Sequence, residues 1–167
     1  GSVGATPVQN VGAYGVELQD RFESLAAIDL QTGQVFTLDA AQCAFRYRDS
    51  VFKHVASKEG DFGLAGRALI LRVRFRLPKP WKPVLGYVDL ERKMHETGIA
   101  DPTPRQIFDW ICAIRSNKLP DPRVIGNAGS FFKNPTVTPE QCQDIIAREP
   151  NIVHYPMHDG TAKLAAG

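Results

Sequence analysis

An arginine among short polar residues is the first feature of this sequence that could do chemistry. Arg48 lies in the run Tyr-Arg-Asp-Ser at positions 47–50, and Phe-Lys-His follows at 52–54. A guanidinium presents a planar fork of N–H donors that matches a carboxylate or a phosphate. The same run also fits a surface turn with a local ion pair. On residue types alone, both anion binding and a purely structural turn stay open.

A glycine-rich loop at positions 126–135 offers a hydroxyl. Its sequence is Gly-Asn-Ala-Gly-Ser-Phe-Phe-Lys-Asn-Pro, with Ser130 at the centre. Flanking glycines allow a tight turn that presents the serine to a ligand. We expect Phe131 and Phe132 to anchor that turn in a core. The alternative is an ordinary loop serine, and residue types alone do not decide between the two.

A lysine before two prolines is the third candidate. Lys118 begins the run Lys-Leu-Pro-Asp-Pro at 118–122, where the prolines restrict the backbone. Such a lysine could hold a phosphate, whereas the prolines could also form only a rigid linker. Physics alone favours the linker.

Metal chemistry is not predicted. The three cysteines are far apart, form no CxxC pair and are expected to be reduced and mostly buried: Cys43, Cys112 and Cys142. His154 and His158 are four residues apart, but Pro156 between them argues against a helix that would align them. The dinucleotide, P-loop, metalloprotease and nucleophile-elbow motifs are absent.

Composition excludes other classes of partner. The 167 residues carry a net charge of +2, with both signs mixed along the chain, which predicts no strong attraction to nucleic acid or to a membrane surface. No apolar run approaches the roughly 18 residues that a membrane helix needs. Arg72, Arg74 and Arg76 could form a nucleic-acid stripe, but a solvated strand face is the favoured interpretation.

Strands are predicted in the first half of the chain. Residues 24–30 and 35–38 flank Gln-Thr-Gly-Gln at 31–34, which is typical of a β-hairpin. From Leu69 onward, apolar residues and arginines alternate. This period of two predicts a strand whose buried face is formed by Leu71, Val73, Phe75 and Leu77.

Helices are predicted in the second half. A short helix is expected over 89–96, and a second begins at Thr103 with Pro104 and Gln106 completing a capping box. A similar start recurs at 138–141, and Pro150 ends that helix. The expected buried faces are Ile107, Trp110, Ile111 and Ile114 in one helix, and Cys142, Ile145 and Ile146 in the other. Strands followed by helices predict an α+β fold, with a domain boundary near 117–123.

Taken together, the clusters resemble the UDP-N-acetylenolpyruvoylglucosamine reductases. The resemblance is carried by five runs in the family's order, and it spans the whole chain. They are GSVGATPVQNVGAYGVEL at 1–18, YRDSVFK at 47–53, KLPDP at 118–122, GNAGSFFKNP at 126–135 and YPMHDGTAKLAAG at 155–167. Each run alone is weak, whereas their common order is strong.

The resemblance implies a fold and a domain division. Residues 1–78 would be the C-terminal part of a FAD-binding domain of the vanillyl-alcohol-oxidase or PCMH type. Residues 79–117 would form a loop and helices that connect to it, and residues 118–167 would begin the substrate domain. Because the chain begins without Met and both ends are interpreted as cuts, it would be a middle fragment. Alone, it is expected to bind FAD weakly or not at all and to turn over negligibly.

The resemblance also implies roles for individual residues. Ser130 would be the proton donor, and Arg48 would bind and polarise the enolpyruvyl carboxylate. The substrate would further be held by Tyr87, on the loop of the family's longer subtype, and by Lys118, Asn134, Tyr14 and Tyr155. The cofactor would be approached by Gly1, Ser2, Val3, Gly4, Gln9, Asn10, Gly12, Ala13, Tyr14 and Gly15. The family's catalytic glutamate is assigned to no residue here.

The implied activity is the NADPH- and FAD-dependent reduction of UDP-N-acetyl-enolpyruvoylglucosamine to UDP-N-acetylmuramate. This oxidoreductase would serve peptidoglycan synthesis, and with it cell-wall biogenesis, cell shape and cell division, as a cytoplasmic monomer acting on a small molecule. Two other classes remain as hypotheses: a nucleic-acid-binding module that uses the arginines of 72–76, and a non-catalytic α+β interaction domain.

Overall fold

The structure, a computed structural model, describes residues 2–56, 62–126, 130–157 and 159–166. The chain divides into two compact units, Gly1–Lys118 and Leu119–Gly167. Strands of the first unit are β1 (Gly12–Ala13), β2 (Val16–Glu17), β3 (Phe22–Asp29), β4 (Val35–Asp39) and β5 (Ala68–Phe75). Its α-helices are α1 (Ala40–Cys43), α2 (Val88–Thr97) and α3 (Pro104–Lys118), and 3-10 turns lie at Val3–Gln9, Leu18–Asp20 and Val51–Lys53. The second unit holds β6 (Thr136–Val137), α4 (Pro139–Arg148), β7 (His154–Pro156) and β8 (Ala162–Leu164).

The predicted hairpin is confirmed as the centre of the first unit. Strands β3 and β4 pair antiparallel with Ser24 opposite Asp39 and Ile28 opposite Val35. Strand β5 lies antiparallel on the other side of β3, so the sheet order is β4-β3-β5. The inner face of β3 places Leu25 and Ala27 in a core. The remaining core residues are Leu18, Phe22, Leu38, Cys43, Val51, Phe52 and Leu64.

Strand β5 is present where it was predicted. Of its predicted buried face, Val73 packs against the core, whereas the prediction for Leu71, Phe75 and Leu77 is wrong. The pairing with β3 shifts between Ala26–Arg72 and Ala27–Ile70, which leaves Leu71 as the extra residue of a bulge. Leu71 is accordingly 54 % exposed. The side chains that pack against the core are Ala68, Ile70 and Val73, because a bulge reverses the alternation of faces on either side of it. Phe75 and Leu77 are exposed as well.

The turn between β3 and β4 is fixed by a carboxylate. Asp29 Oδ1 accepts hydrogen bonds from the backbone N–H groups of Gln31 and Thr32, at 2.8 and 3.2 Å. Its Oδ2 accepts from Arg67 Nε at 2.9 Å and lies 2.8 Å from Arg67 Nη2. The hydrogen bond from Arg67, followed by that from Gln31, holds the pKa of Asp29 below its ordinary value. Asp29 thus ties the hairpin to the chain that enters β5.

We expect Asp29→Asn to lower the free energy of unfolding at neutral pH. A lowered carboxyl pKa stabilises the fold above the group's ordinary value, and that contribution is lost as the pH falls through the lowered pKa. The gap between wild type and variant should therefore narrow in acid. Urea unfolding at neutral and at successive acid pH values measures it. Asp109→Asn removes one partner of the exposed pair Arg105–Asp109 on α3 and is the matched control. Its free energy of unfolding should stay close to that of wild type.

Helix α3 begins at the predicted capping box. Thr103 Oγ1 accepts from the N–H of Gln106 at 3.3 Å, and the N–H of Thr103 donates to Gln106 Oε1 at 2.8 Å. Its predicted apolar face is only half-buried, and no α3 residue is fully buried.

Helix α2 covers the predicted span and is anchored by Leu90, which is 1 % exposed.

The second unit has a three-stranded antiparallel sheet of order β6-β8-β7 with α4 packed on it. The capping box at Thr138 and Gln141 is confirmed. Cys142 of α4 is buried against Ala162 and Leu164 of β8, and Ile145 and Ile146 pack on the same cluster, as predicted. This core is small, since three residues of the described part of the unit are buried in it.

The fold has mixed helix and sheet content, and every strand pair within the described ranges is antiparallel.

All three cysteines are free thiols, as predicted, but only Cys43 and Cys142 are buried; Cys112 is exposed. Burial, with a smaller effect of Asp39, raises the pKa of Cys43 to about 12, so its thiol stays protonated. Each helix in the described part of the chain is too short or too polar to cross a membrane.

Candidate functional site

A two-residue hairpin turn organises the candidate site in the first unit. Strands β1 and β2 pair with Ala13 opposite Val16, and Tyr14 and Gly15 form the turn between them. Both turn residues have positive φ, 53° for Tyr14 and 78° for Gly15. Such a turn matches the twist of a β-hairpin, but positive φ is strained for tyrosine and costs about 1 kcal/mol or more.

Arg48 is bound to the base of this hairpin. It lies in a turn closed by two hydrogen bonds between the backbones of Arg46 and Asp49, both 3.1 Å long. The φ of Arg48 is 54°. Its Nη2 donates to the backbone oxygen of Gly12 at 2.7 Å. The guanidinium also lies 5.0 Å from the Tyr47 ring centroid, and the side chain is about one-third exposed.

The absence of a side chain at Gly12 makes this contact possible. A Cβ there would lie 3.0 Å from Arg48 Nη1 and 2.8 Å from Glu17 Cγ, closer than such atoms pack. Arg48 Nη1 is buried and has no hydrogen-bond partner within the ranges that the structure describes. A buried donor without an acceptor is costly. The guanidinium is therefore only partly satisfied by the protein.

Tyr14, Tyr87 and Lys118 meet beside the hairpin. The rings of Tyr14 and Tyr87 make an edge-to-face contact, with an interplanar angle of 65° and centroids 5.0 Å apart. Lys118 Nζ, at the end of α3, donates to Asp89 Oδ2 at 2.6 Å. The pKa of Lys118 is raised, first by this hydrogen bond and further by the nearby phenol groups of Tyr87 and Tyr14. Three of the predicted substrate-binding residues thus share one location.

An apolar pocket of about 270 Å³ adjoins this location. It lies between the β1–β2 hairpin, residues 81–84 and helices α2 and α3. Its walls include Tyr14, Trp81, Leu90, Ile107 and Ile111. The half-buried face of α3 therefore supplies one wall of a concave surface, which is the shape expected of a small-molecule site.

The predicted cofactor residues form the N-terminal stretch of the first unit. A second groove, of about 310 Å³, is lined by Ser2, Gly4, Ala5 and Val8 together with the start of β5. Val3 and Gln9 are exposed, and Gly12, Ala13 and Gly15 belong to the hairpin or its turn. Gly1 lies outside the described residues.

Asn10 differs from its neighbours because its side chain is used inside the protein. It is 0 % exposed, with φ of 45°. Its Nδ2 donates to Glu17 Oε2 at 2.9 Å and to the Arg46 oxygen at 3.1 Å. Its Oδ1 accepts from the N–H of Gln19 at 3.0 Å. Asn10 therefore ties the hairpin to the Arg48 turn, and its place among the cofactor residues stays a prediction.

The second unit carries the other predicted site residues. Ser130 is exposed, and Asn134 Oδ1 accepts from the N–H of Ala166 at 3.1 Å. Tyr155 lies on β7 and is exposed. Phe131 and Phe132 are 81 % and 66 % exposed and stack on each other, so the expectation that they anchor the loop in a core is wrong. Residues 127–129 of this loop, and His158, lie outside the described residues.

Two residues of the cluster were missed by the sequence analysis. Glu17 contacts Arg48, and Asp89 binds Lys118. An acidic residue in the first turn of a helix, as at Asp89, is a common local preference and carries no functional signal. Glu17 is 31 positions from Arg48, and no spacing rule connects them. Only the packing of segments that are distant in sequence reveals either contact.

The other arginines give no comparable site. Arg72 and Arg74 are exposed on β5, and Arg76 lies 3.7 Å from Glu23 Oε1. No group of three or more potential metal ligands occurs in the described part of the chain. The first unit thus combines two cations, two aromatic rings and an apolar pocket. Such a set is the kind of arrangement expected of a site for an anionic small molecule with a flat or apolar portion.

Comparison with known proteins shows which class of protein the chain resembles. The chain is 53 % identical over 169 residues to the UDP-N-acetylenolpyruvoylglucosamine reductase of Burkholderia vietnamiensis, covering 100 % of this chain and 46 % of that protein. It is 53 % identical to the reductase of Azoarcus sp. over 167 residues, with 100 % and 46 % covered. For the reductase of Bordetella pertussis, identity is 54 % over 167 residues, with 100 % and 45 % covered. No family model matches the chain.

Over its whole length, the chain is therefore homologous to a part of the UDP-N-acetylenolpyruvoylglucosamine reductases, and the resemblance carried by the motifs is confirmed. The chain spans about half the length of the curated relatives it matches. Among solved structures, the reductase MurB from Thermus caldophilus superposes with a TM-score of 0.45 and 20 % identity, over 99 % of this chain and 50 % of that one. A superposition this loose carries no argument.

Proposed function

We propose that the whole protein to which this chain belongs reduces UDP-N-acetyl-enolpyruvoylglucosamine to UDP-N-acetylmuramate, with FAD and NADPH, in peptidoglycan synthesis. The observation that carries the proposal is the identity of 53 % with named reductases from one end of the chain to the other. The cluster of Arg48, Lys118, Tyr14 and Tyr87 supports it, because the proposed substrate combines a carboxylate, a diphosphate and a uracil ring.

The residues described in the first unit fit part of a FAD molecule. The groove lined by Ser2, Gly4 and Ala5 has almost no side chains on that wall, and its volume of about 310 Å³ is that of a small ligand. A Cβ at Gly4 would meet only the Ile70 oxygen, at 3.9 Å, so the backbone there is open to a ligand. We propose that residues 2–15 approach FAD by their backbone. When bound, FAD would supply the two-electron reduction, with NADPH as the electron source.

We propose that Arg48 acts on the substrate carboxylate. Reduction at the β-carbon of an enolpyruvyl ether leaves negative charge on the α-carbon and its carboxylate. The guanidinium, whose side chain is about one-third exposed, would form charge-assisted hydrogen bonds with that carboxylate as the charge develops. Because Gly12 already accepts from Nη2, the group is oriented before the substrate arrives. Preorganised donors of this kind favour the transition state over the ground state.

Ser130 is proposed as the proton donor to the α-carbon. A serine hydroxyl is a weak acid, so the proton that it gives must be replaced by a neighbour or by water. The exposure of Ser130 in the second unit allows such resupply by solvent. Asn134 and Tyr155 are proposed to contact the substrate from the same unit. We propose that residues 1–78 belong to a FAD-binding domain of the vanillyl-alcohol-oxidase type and 118–167 to the substrate domain.

The direct test is turnover by the whole protein. We expect purified protein to show flavin absorbance and to oxidise NADPH only when UDP-N-acetyl-enolpyruvoylglucosamine is present, with UDP-N-acetylmuramate formed in equal amount. Mass spectrometry of the product and absorbance of NADPH measure both. Protein that binds no flavin and consumes no NADPH with this substrate contradicts the proposal. Gel filtration of the same sample tests the proposed monomer, and the free thiols are in keeping with the proposed cytoplasmic location.

Lys118→Gln is expected to raise KM for the substrate by about tenfold with little change in kcat, which is the loss expected for one charge-assisted hydrogen bond to a phosphate. Asp89 holds the ammonium beside the two tyrosines, so a diphosphate must compete with it or share it. Lys93→Gln removes an ammonium that pairs with Glu96 instead and serves as the matched control. A KM like that of wild type would remove Lys118 from the substrate site.

A further inference from the structure

We propose that Glu17 is the positioning residue that holds the Arg48 guanidinium in its working orientation. The inference rests on the proposed function, since it gives Arg48 a reaction to serve. It goes further because it assigns a role to a residue for which the family resemblance implies none. The argument depends on three features of the β1–β2 hairpin: the anchoring of the Glu17 carboxylate, the incomplete binding of the guanidinium, and the lack of space around both.

The Glu17 carboxylate is itself held rigidly. Its Oε2 accepts from Asn10 Nδ2 at 2.9 Å and from Gln19 Nε2 at 3.1 Å. Asn10 is fully buried and also binds the backbone of Arg46, in the same turn as Arg48. A buried amide with all its groups in use has little freedom to move. The carboxylate is therefore fixed relative to both the hairpin and the Arg48 turn.

The guanidinium, in contrast, is held among the described residues by one hydrogen bond, one opposite charge and the Tyr47 ring, whose centroid is 5.0 Å away. Nη2 donates to the Gly12 oxygen at 2.7 Å. Nη1 lies 3.6 Å from Glu17 Oε1, which is too long for a hydrogen bond but within the range of an ion pair between partly buried side chains. One hydrogen bond to Gly12 leaves the guanidinium free to turn about that contact. The charge of Glu17 restrains this rotation.

Close packing restricts the guanidinium further. The space that a Cβ at Gly12 would occupy lies 2.8 Å from Glu17 Cγ, 3.0 Å from Arg48 Nη1 and 3.2 Å from the Val16 oxygen. The two side chains thus meet across a glycine that has no room to spare. Glu17 Oε1 faces Arg48 Nη1. The other carboxylate oxygen, Oε2, is anchored by Asn10 and Gln19. Glu17 thereby directs the exposed part of the guanidinium toward a ligand.

Glu17→Gln in the whole protein tests this role, because it keeps the shape of the side chain and removes its charge. We expect kcat for substrate reduction to fall about 10- to 100-fold, the cost of a misplaced catalytic group, and KM to change much less. The rate at which NADPH reduces the flavin in stopped-flow should stay as in wild type. Glu17→Asp, which keeps the charge on a shorter side chain, should retain more activity than Glu17→Gln.

A second readout does not depend on the reductase activity. In protein labelled with ¹⁵N-arginine, the Arg48 guanidinium protons should exchange with water faster in Glu17→Gln than in wild type. Glu23→Gln is the matched control, since Glu23 is exposed near the start of β3 and its Oε1 lies 3.7 Å from Arg76 Nη2. That variant should leave the kcat and the Arg48 resonances unchanged.

The outcomes separate the two proposals. Combined with Arg48→Lys, Glu17→Gln should cause little further loss, because both changes act through the same group. Unchanged kcat and unchanged Arg48 exchange in Glu17→Gln overturn the positioning role even if the enzyme is a reductase. Absence of turnover in wild type, with faster Arg48 exchange in Glu17→Gln, overturns the reductase function and leaves the Glu17–Arg48 contact standing.

Discussion

Ser130→Ala is expected to lower the rate of substrate reduction by the whole protein by about 100- to 10,000-fold, the range for loss of a general acid. The proposed step is transfer of a proton to the α-carbon, and alanine has no proton to give. Reduction of the flavin by NADPH does not use this proton and should proceed normally. Stopped-flow absorbance separates the two half-reactions. The reduced enzyme should then accumulate in the presence of the substrate.

Dependence of the rate on buffer adds a diagnostic for Ser130. If the hydroxyl delivers the proton, the small residual rate of Ser130→Ala should depend on solvent buffer, because an outside acid must replace it. Ser116→Ala, on the exposed surface of α3, is the control and should match wild type in both half-reactions. Substrate reduction at the wild-type rate in Ser130→Ala would remove Ser130 from the mechanism while leaving the proposed overall reaction intact.

Arg48→Ala is expected to lower kcat by about 100- to 1,000-fold, as does removal of a preorganised donor that stabilises developing negative charge. KM should rise as well, because the same guanidinium is proposed to bind the carboxylate before the reaction. Arg48→Lys should recover only part of the loss, since an ammonium cannot reproduce the planar fork that reaches both Gly12 and a ligand. Steady-state kinetics with NADPH oxidation as the signal give both constants.

A neighbour provides the control for Arg48. Arg46 lies in the same turn, and its side chain is exposed, so Arg46→Ala removes a positive charge without removing the Gly12 contact. We expect nearly wild-type kinetics from that variant. Equal losses in Arg46→Ala and Arg48→Ala would mean that general positive charge, and not a placed guanidinium, is what the substrate requires. Thermal unfolding of both variants checks that neither effect comes from lost stability.

Local sequence signals predicted most of the elements. The capping boxes at Thr103 and Thr138 depend on residues three positions apart, so short-range hydrogen bonds suffice to start α3 and α4 where predicted. The β3–β4 hairpin is similarly local, because its strands are joined by a short turn that Asp29 closes. Interactions of this kind are present in any fold that the segments enter.

Strand β5 shows where local signals are insufficient. Alternation of leucine, valine and phenylalanine with arginine predicted a strand, and the strand exists. The predicted buried face failed because pairing with β3 inserts a bulge at Leu71, and a bulge depends on the partner strand. The prediction that Phe131 and Phe132 lie in a core failed for a related reason. Their apolar character does not show which surface is near enough to cover them.

The candidate site divides in the same way. The motifs identified Arg48, Tyr14, Tyr87 and Lys118 through the family resemblance, and the structure brings the last three together beside the hairpin to which Arg48 is bound. Their carboxylate partners, Glu17 and Asp89, carried no signal in the sequence. A side chain's donors can be read from its type, whereas its partner depends on the long-range path of the backbone.

By itself, the sequence determined the family resemblance, the order of the motifs and the start of each long helix, since these depend on residue types and on contacts within a few positions. Only the tertiary structure decided which face of β5 is buried, how Asn10 is used and which carboxylates hold Arg48 and Lys118. Those features arise where segments distant in sequence are packed together. Strand register and hydrogen-bond satisfaction, which are properties of pairs of segments, select them.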